Sequence, residues 1–497
     1  MNSLGKIHCL SPTSVSQLVV IQFSMLILIL IACGQPSSEV DTFDSILVAE
    51  SPSPAAEIEV SPSPTPTQTS VPSPTSIPEP TPTFQPAQVI LPTPVLQLGT
   101  PTPLSGDPTT RSMAAVELRV NVIRGLSSEE KVEREFLTRY EMRNLIIDLL
   151  EEDKEKIEAD EQLYKSLWIL PPAANLYDII FNLYSEGILG LYRSEEQKLY
   201  IVVDSKDQFG PEIERTYVHE FVHSLQQQHF DLRATFDAIE DNSDASLAFR
   251  ALVEGDARLS EIAYTFQHMT QEEQVESQGS PTEALGKAFR ASPYILQREY
   301  VFPYREGLDF AMALFQQAGW PGIDQAYGYI PQSTEQILHP EKYIARDQPV
   351  TLILPDFVAK LGDGWDLVTR NTMGELFIQS YLELGGSPEV AHQAAAGWGG
   401  DSYVLLTGPD GQVVLIMYIA WDSTEDAVEF YEAFSNLSEG ITGIKWGLQD
   451  GPVIAHKLVL EGAGSIFTRI DGDRTLTIFT PSDRVLDILL GEFTVDN

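Results

Sequence analysis

Positive charge and thiols are scarce in this sequence. Only 31 of its 497 residues are Lys or Arg, against 72 Asp or Glu, giving a formal net charge of -41. Phosphate backbones are held by clustered cations, so this imbalance excludes a nucleic-acid partner and broad adhesion to anionic lipid. It fits a solvated surface that resists aggregation. Two cysteines, Cys9 and Cys33, are too few for a disulfide framework. Histidine is rare as well, with eight in the chain, so any clustering of it carries weight. What is present is a globular balance, 43% apolar and 21% charged, in a length that allows two ordinary domains with extras.

The N-terminus reads as an address. An apolar run from Leu18 to Ala32, broken only by Gln22 and Ser24, has the size of a signal-peptide core rather than of a transmembrane helix. It ends in Leu30-Ile31-Ala32-Cys33-Gly34. That order resembles a bacterial lipoprotein signal, in which cleavage precedes a cysteine that is then lipidated. The resemblance implies a signal over residues 1–33, a lipid on Cys33 and an extracytoplasmic, membrane-anchored product; a plain secretory signal or an uncleaved N-terminal anchor is the alternative. From Gly34 to Thr110 there is no Lys or Arg, and sixteen of the 33 prolines fall between Ser51 and Thr110. Proline fixes one dihedral and withholds a backbone donor, so residues 34–112 are expected to form a disordered, extended tether rather than a core.

Folded sequence is expected from residue 113. Val116–Val120 alternates like a short strand, Glu129–Lys156 reads as helical, and Leu176–Tyr184 as another helix. Ile188–Tyr192 and Leu199–Val203 are β-prone runs around a polar turn, a hairpin signal. After Gly210-Pro211, apolar Ile213, Tyr217, Phe221 and Leu225 recur every four residues, which predicts a helix.

That helix carries His219-Glu220-Phe221-Val222-His223. Residues four apart share a helical face, so the two imidazoles can meet one ion. Glu220, about 100° around the helix, stands beside the ion, where a carboxylate can act as base on a water that zinc activates. A chance match to the pattern is expected on the order of 0.01 times in a chain of this composition. The bland alternative is a structural helix with surface histidines. Zinc, one per chain, needs a third protein ligand. His229 has the spacing of metzincin peptidases, but Gln226 occupies the position where that group has the glycine that turns the chain. Glu254 is favoured instead. It sits in Ala251-Leu252-Val253-Glu254-Gly255-Asp256-Ala257, within a helix expected from an Asp244 cap to about Phe266, where Gly255 permits close approach of a neighbouring helix.

Together, the hairpin, His-Glu-Phe-Val-His and Leu-Val-Glu-Gly-Asp-Ala resemble the gluzincin group of zinc metallopeptidases, specifically its poorly characterised extracytoplasmic members. The resemblance covers roughly Gly187 to Phe266. The step of thirty-one positions from His223 to Glu254 exceeds the separation in thermolysin-like enzymes. It implies a mainly helical zincin-like domain over residues 113–350 in an α+β chain, a peptide or protein substrate, zinc on His219, His223 and Glu254, and Glu220 as general base. Asp256 and Asp244 are candidates to orient a ligand histidine. Tyr329 and His339 are candidate donors to a transition-state oxyanion; alternatively Ser333 or Thr334 caps a short helix that ends before Pro340, with His339 structural.

Residues 351–497 read as a smaller α+β unit without nucleophile, metal or phosphate motif. Val413–Ala420 is an expected strand, Thr424–Phe434 a helix, Ser465–Thr480 a hairpin about Asp471-Gly472, and Val485–Leu490 a last helix. His392 and His456 stand alone and read as structural. The function expected is metal-dependent peptide hydrolysis outside the cytoplasm; the alternative is a non-enzymatic surface-binding lipoprotein that retains a zincin scaffold.

Overall fold

The computed structural model describes residues 108–203, 209–278, 282–449, 454–460, 462 and 464–493. The expected signal segment, Cys33 and nearly all of the expected tether lie outside the described residues. Among the described residues no helix is long and apolar enough to cross a membrane.

The chain runs through α1 (Pro108–Arg124), β1 (Glu133–Leu137), α2 (Arg139–Glu152), α3 (Lys154–Ser166) and α4 (Leu176–Gly187) into a hairpin of β2 (Gly190–Arg193) and β3 (Lys198–Val202). Two expectations fail here. Val116–Val120 is part of α1 rather than a strand. Met113, Val116, Val120 and Ile123 are buried while Leu118 is exposed, so the apolar spacing is three and four rather than two. The helix expected from Glu129 begins only at Arg139, because Thr138 and Glu141 form a reciprocal cap and β1 is drawn into parallel pairing with β3. The resulting three-stranded sheet has the order β1-β3-β2, which leaves β2 at an edge.

Next come α5 (Pro211–Phe230), α6 (Leu232–Ala238), α7 (Ser243–His268), α8 (Gln271–Glu276), α9 (Glu283–Ala291), α10 (Tyr294–Ala318), α11 (Trp320–Gly328), α12 (Thr334–Leu338) and α13 (Pro340–Ala345). Pro211 occupies the first turn of α5, where a missing N–H costs nothing. The α7 cap is Asn242, whose side chain accepts from the Ala245 N–H, and not Asp244. Asp244 is buried and takes the Thr334 N–H at 3.1 Å and its hydroxyl at 2.6 Å. As expected from Gly255, α7 crosses a neighbour closely there. A Cβ at Gly255 would stand 2.0 Å from the Gly307 carbonyl oxygen of α10, and one at Gly307 2.3 Å from that of Ala251.

The remainder comprises α14 (Phe357–Leu361), β4 (Asp366–Asn371), α15 (Gly374–Leu382), α16 (Pro388–Ala395), β5 (Trp398–Thr407), β6 (Val413–Trp421), α17 (Thr424–Thr442), β7 (Gly447–Gln449), β8 (Ile454–Leu460), β9 (Gly464–Asp471), β10 (Arg474–Thr480) and α18 (Asp483–Leu490). The strands form one antiparallel sheet in the order β4-β5-β6-β10-β9-β8-β7. The chain is thus mixed α+β. Its largest apolar cluster gathers Leu137, Tyr164, Tyr304, Tyr381 and Phe479, so helices before residue 350 share a core with the sheet after it.

Candidate metal centre

Helix α5 is amphipathic at its start and buried throughout its middle, from Arg215 to Gln226. It delivers His219 and His223 one turn apart, and α7 packs alongside with Glu254. The three side chains converge: His219 Nε2 lies 3.1 Å from Glu254 Oε2, His223 Nε2 3.4 Å from the same oxygen, and the two Nε2 atoms 3.2 Å from each other. All three residues are at most 3% exposed. Among the described residues this is the group of donors able to hold a metal ion.

The other ring nitrogens are fixed. His219 Nδ1 meets Glu261 Oε2 at 3.2 Å, and His223 Nδ1 meets Gln226 Oε1 at 2.7 Å. A donor on Nδ1 leaves each Nε2 with its lone pair directed at the cluster. Glu261 is held in turn by Arg215 and, at 2.5 Å, by Arg258. Gln226 gives its amide to Asp256 and to the Val253 carbonyl, both at 2.9 Å. Asp256 also receives a two-pronged contact from the buried Arg124 and the Tyr327 hydroxyl at 2.9 Å. Asp256 therefore acts on His223 through Gln226 rather than touching a ligand, and Asp244 touches none.

Electrostatics follow from this wiring. Burial alone would raise the Glu254 carboxyl, but His223 and His219 reverse it and draw it down to about 2. Burial likewise raises Glu261, and Arg258, Arg215 and His219 outweigh it, holding it far below the usual carboxylate range. For His219 burial disfavours protonation, while Glu254 and Glu261 more than offset it and raise the ring. The cluster thus presents a carboxylate anion and two histidine rings held in fixed orientation.

Glu220 is fully buried beside β2. Its Oε1 occupies the space that a Cβ on Gly190 would need, 2.6 Å away. Tyr304 of α10 stands near His219, the ring centroids 6.3 Å apart.

The remaining candidates have partners outside the three-residue cluster. α5 continues unbroken through Gln226, and His229 Nε2 meets the Ser127 carbonyl at 2.8 Å. His339 Nε2 is 3.0 Å from Glu375, and the Tyr329 hydroxyl accepts from Gln348 at 2.6 Å with Arg346 stacked on its ring. Ser333 caps α12, and the helix ends at Leu338 before Pro340. Sequence reading missed Glu261, Gln226, Gly190 and Tyr304. Glu261 had a local signal, since it lies two helical turns after Glu254 on the same face.

Residues 364–488 match a family described as a domain of unknown function, DUF8575. This match covers β4 to α18 and none of the metal-centre residues. No curated protein and no solved structure matches the chain.

Proposed function

We propose that this protein is a zinc-dependent peptidase with a zincin-like catalytic region, acting outside the cytoplasm from a lipid tether at Cys33. The observation that carries the reading is the spacing of three donor atoms. Zinc bonds of about 2.0–2.1 Å in a tetrahedron set ligand atoms roughly 3.3–3.4 Å apart. The separations of His219, His223 and Glu254 run from 3.1 to 3.4 Å. Three protein ligands leave a fourth position open, the arrangement of a catalytic rather than a structural site.

When bound, the ion acts as a Lewis acid that brings a water near neutrality in pKa and polarises a carbonyl. Glu220 takes the proton as the water oxygen bonds to the carbonyl carbon, and returns it to the leaving nitrogen as the C–N bond breaks. Tyr304 can donate its phenolic hydrogen to the developing oxyanion, a contribution of about 10²-fold or more in comparable sites. Glu261 and Gln226 keep both imidazoles aimed. The test is turnover of a broad quenched-peptide library by the zinc-loaded chain. Glu220→Gln is expected to retain zinc and lose turnover. Full activity in that variant, or none in the parent chain, overturns the reading.

A further inference from the structure

A cavity of about 230 Å³ is walled in part by α7 and α10, the helices that carry Glu254 and Tyr304. Its wall includes Arg250 and Tyr300. Arg250 precedes Glu254 by four residues on α7, and Tyr300 precedes Tyr304 by four on α10, so the metal-centre faces of both helices continue into it, about 6 Å along. Asp153, Asp160 and Glu299 face it from α10 and from the α2–α3 segment. In all, five acidic side chains line it against Lys156 and Arg250.

An acidic lining alone would be no site. Two further features point to a ligand. Tyr300 is 7% exposed, lines the cavity, and its phenolic oxygen has no hydrogen-bond partner among the described residues. Its ring stacks on Tyr184 at 6.2 Å, and Tyr164 also lines the wall, giving an aromatic surface with open acceptor capacity. Second, the two cations do not neutralise the carboxylates. Burial raises Asp153 and Asp160 to about 6, and burial together with Asp160 raises Glu299 to about 7, despite Lys156 beside all three and Arg250 beside Asp153 and Glu299. Such groups gain when a further cation enters, whereas an anion would meet surplus negative charge.

We infer that this cavity is the specificity pocket of the same active site and takes a positively charged substrate side chain, of lysine or arginine type. Asp160 and Glu299 pair with the ammonium or guanidinium, and the tyrosines flank its aliphatic stem. The inference rests on the peptidase reading for the word substrate, but the cavity's preference can be measured without turnover.

The experiment is calorimetric titration of full-length, zinc-loaded Glu220→Gln with a blocked heptapeptide of alanines carrying one central lysine, and with its norleucine and glutamate counterparts. The lysine peptide is expected to bind about tenfold or more tightly than the norleucine peptide. The preference is expected to vanish in a chain that also carries Asp160→Asn and Glu299→Gln. Equal binding of lysine and norleucine, preference for glutamate, or no binding of the lysine peptide overturns the proposal. The three-peptide comparison stands even if the added substitutions prevent folding. Turnover of the same peptides by the unsubstituted chain is scored separately: a lysine preference without turnover keeps the pocket and removes the peptidase reading.

Discussion

Gly190 on the edge strand β2 lies against the carboxylate of Glu220, so close that a methyl at position 190 would stand 2.6 Å from Oε1 and 2.7 Å from Cγ. No side chain fits between strand and carboxylate, and Glu220 has to move if one is introduced. Gly190→Ala is therefore expected to displace the base while leaving His219, His223 and Glu254 in place. Peptide turnover should fall by about 10²-fold or more, with zinc content unchanged. Metal analysis alongside a turnover assay separates this outcome from simple misfolding.

Glu261 and Gln226 orient the two imidazoles without joining the cluster. Glu261→Ala also leaves Arg215 and Arg258 without their shared carboxylate. The expected cost for either Glu261→Ala or Gln226→Ala is about 10–100-fold in zinc affinity. Competition with a chromophoric chelator measures it, and unchanged affinity in both variants would remove these residues from the site.

The α7–α10 crossing is set by backbone contact at Gly255 and Gly307. A methyl at either would meet a carbonyl oxygen, which cannot turn away as a flexible side chain can. Gly255→Ala is expected to cost about 1–3 kcal/mol or more of stability, read by chemical denaturation. Because Glu254 adjoins the crossing, weakened zinc binding should accompany it.

Glu299 supplies a test by pH. Its folded pKa of about 7 lies above its ordinary 4.5, through burial and Asp160, and against Lys156, Arg250 and the Tyr164 hydroxyl. The folded state then holds this proton more tightly than the unfolded state. The stability it contributes is full below pH 4.5 and is lost as pH rises toward and through 7. Glu299→Gln cannot titrate. Its stability relative to the parent chain should rise by roughly 3 kcal/mol between pH 4.5 and 8, followed by denaturation at several pH values. A difference that is flat with pH would contradict the burial of charge at this position.

What the sequence revealed and what it hid divide along chain distance. The hairpin, α5 and α7 announce themselves through local periodicity, and the positions of His219, Glu220, His223 and Glu254 follow from helical geometry. Gln226, which argued against His229 as a ligand, proved to be the partner of His223, three residues away and so also legible in principle. β1 was hidden because its pairing partner, β3, lies some sixty residues further on, and nothing within Glu133–Leu137 declares that contact. Gly190 and Tyr304 were hidden for the same reason, since each gains meaning from a residue on another element. The two valines at 116 and 120 fit both a strand and a helix, and only the burial of Met113 and Ile123 on the same face decides for the helix.

The central claim is that His219, His223 and Glu254 hold one catalytic zinc. Elemental analysis of the purified chain and of Glu254→Ala and His229→Ala tests it most directly. The account predicts about one zinc per chain, lost in Glu254→Ala and kept in His229→Ala. A chain that binds no zinc, or that loses it with His229 rather than with Glu254, would contradict the account.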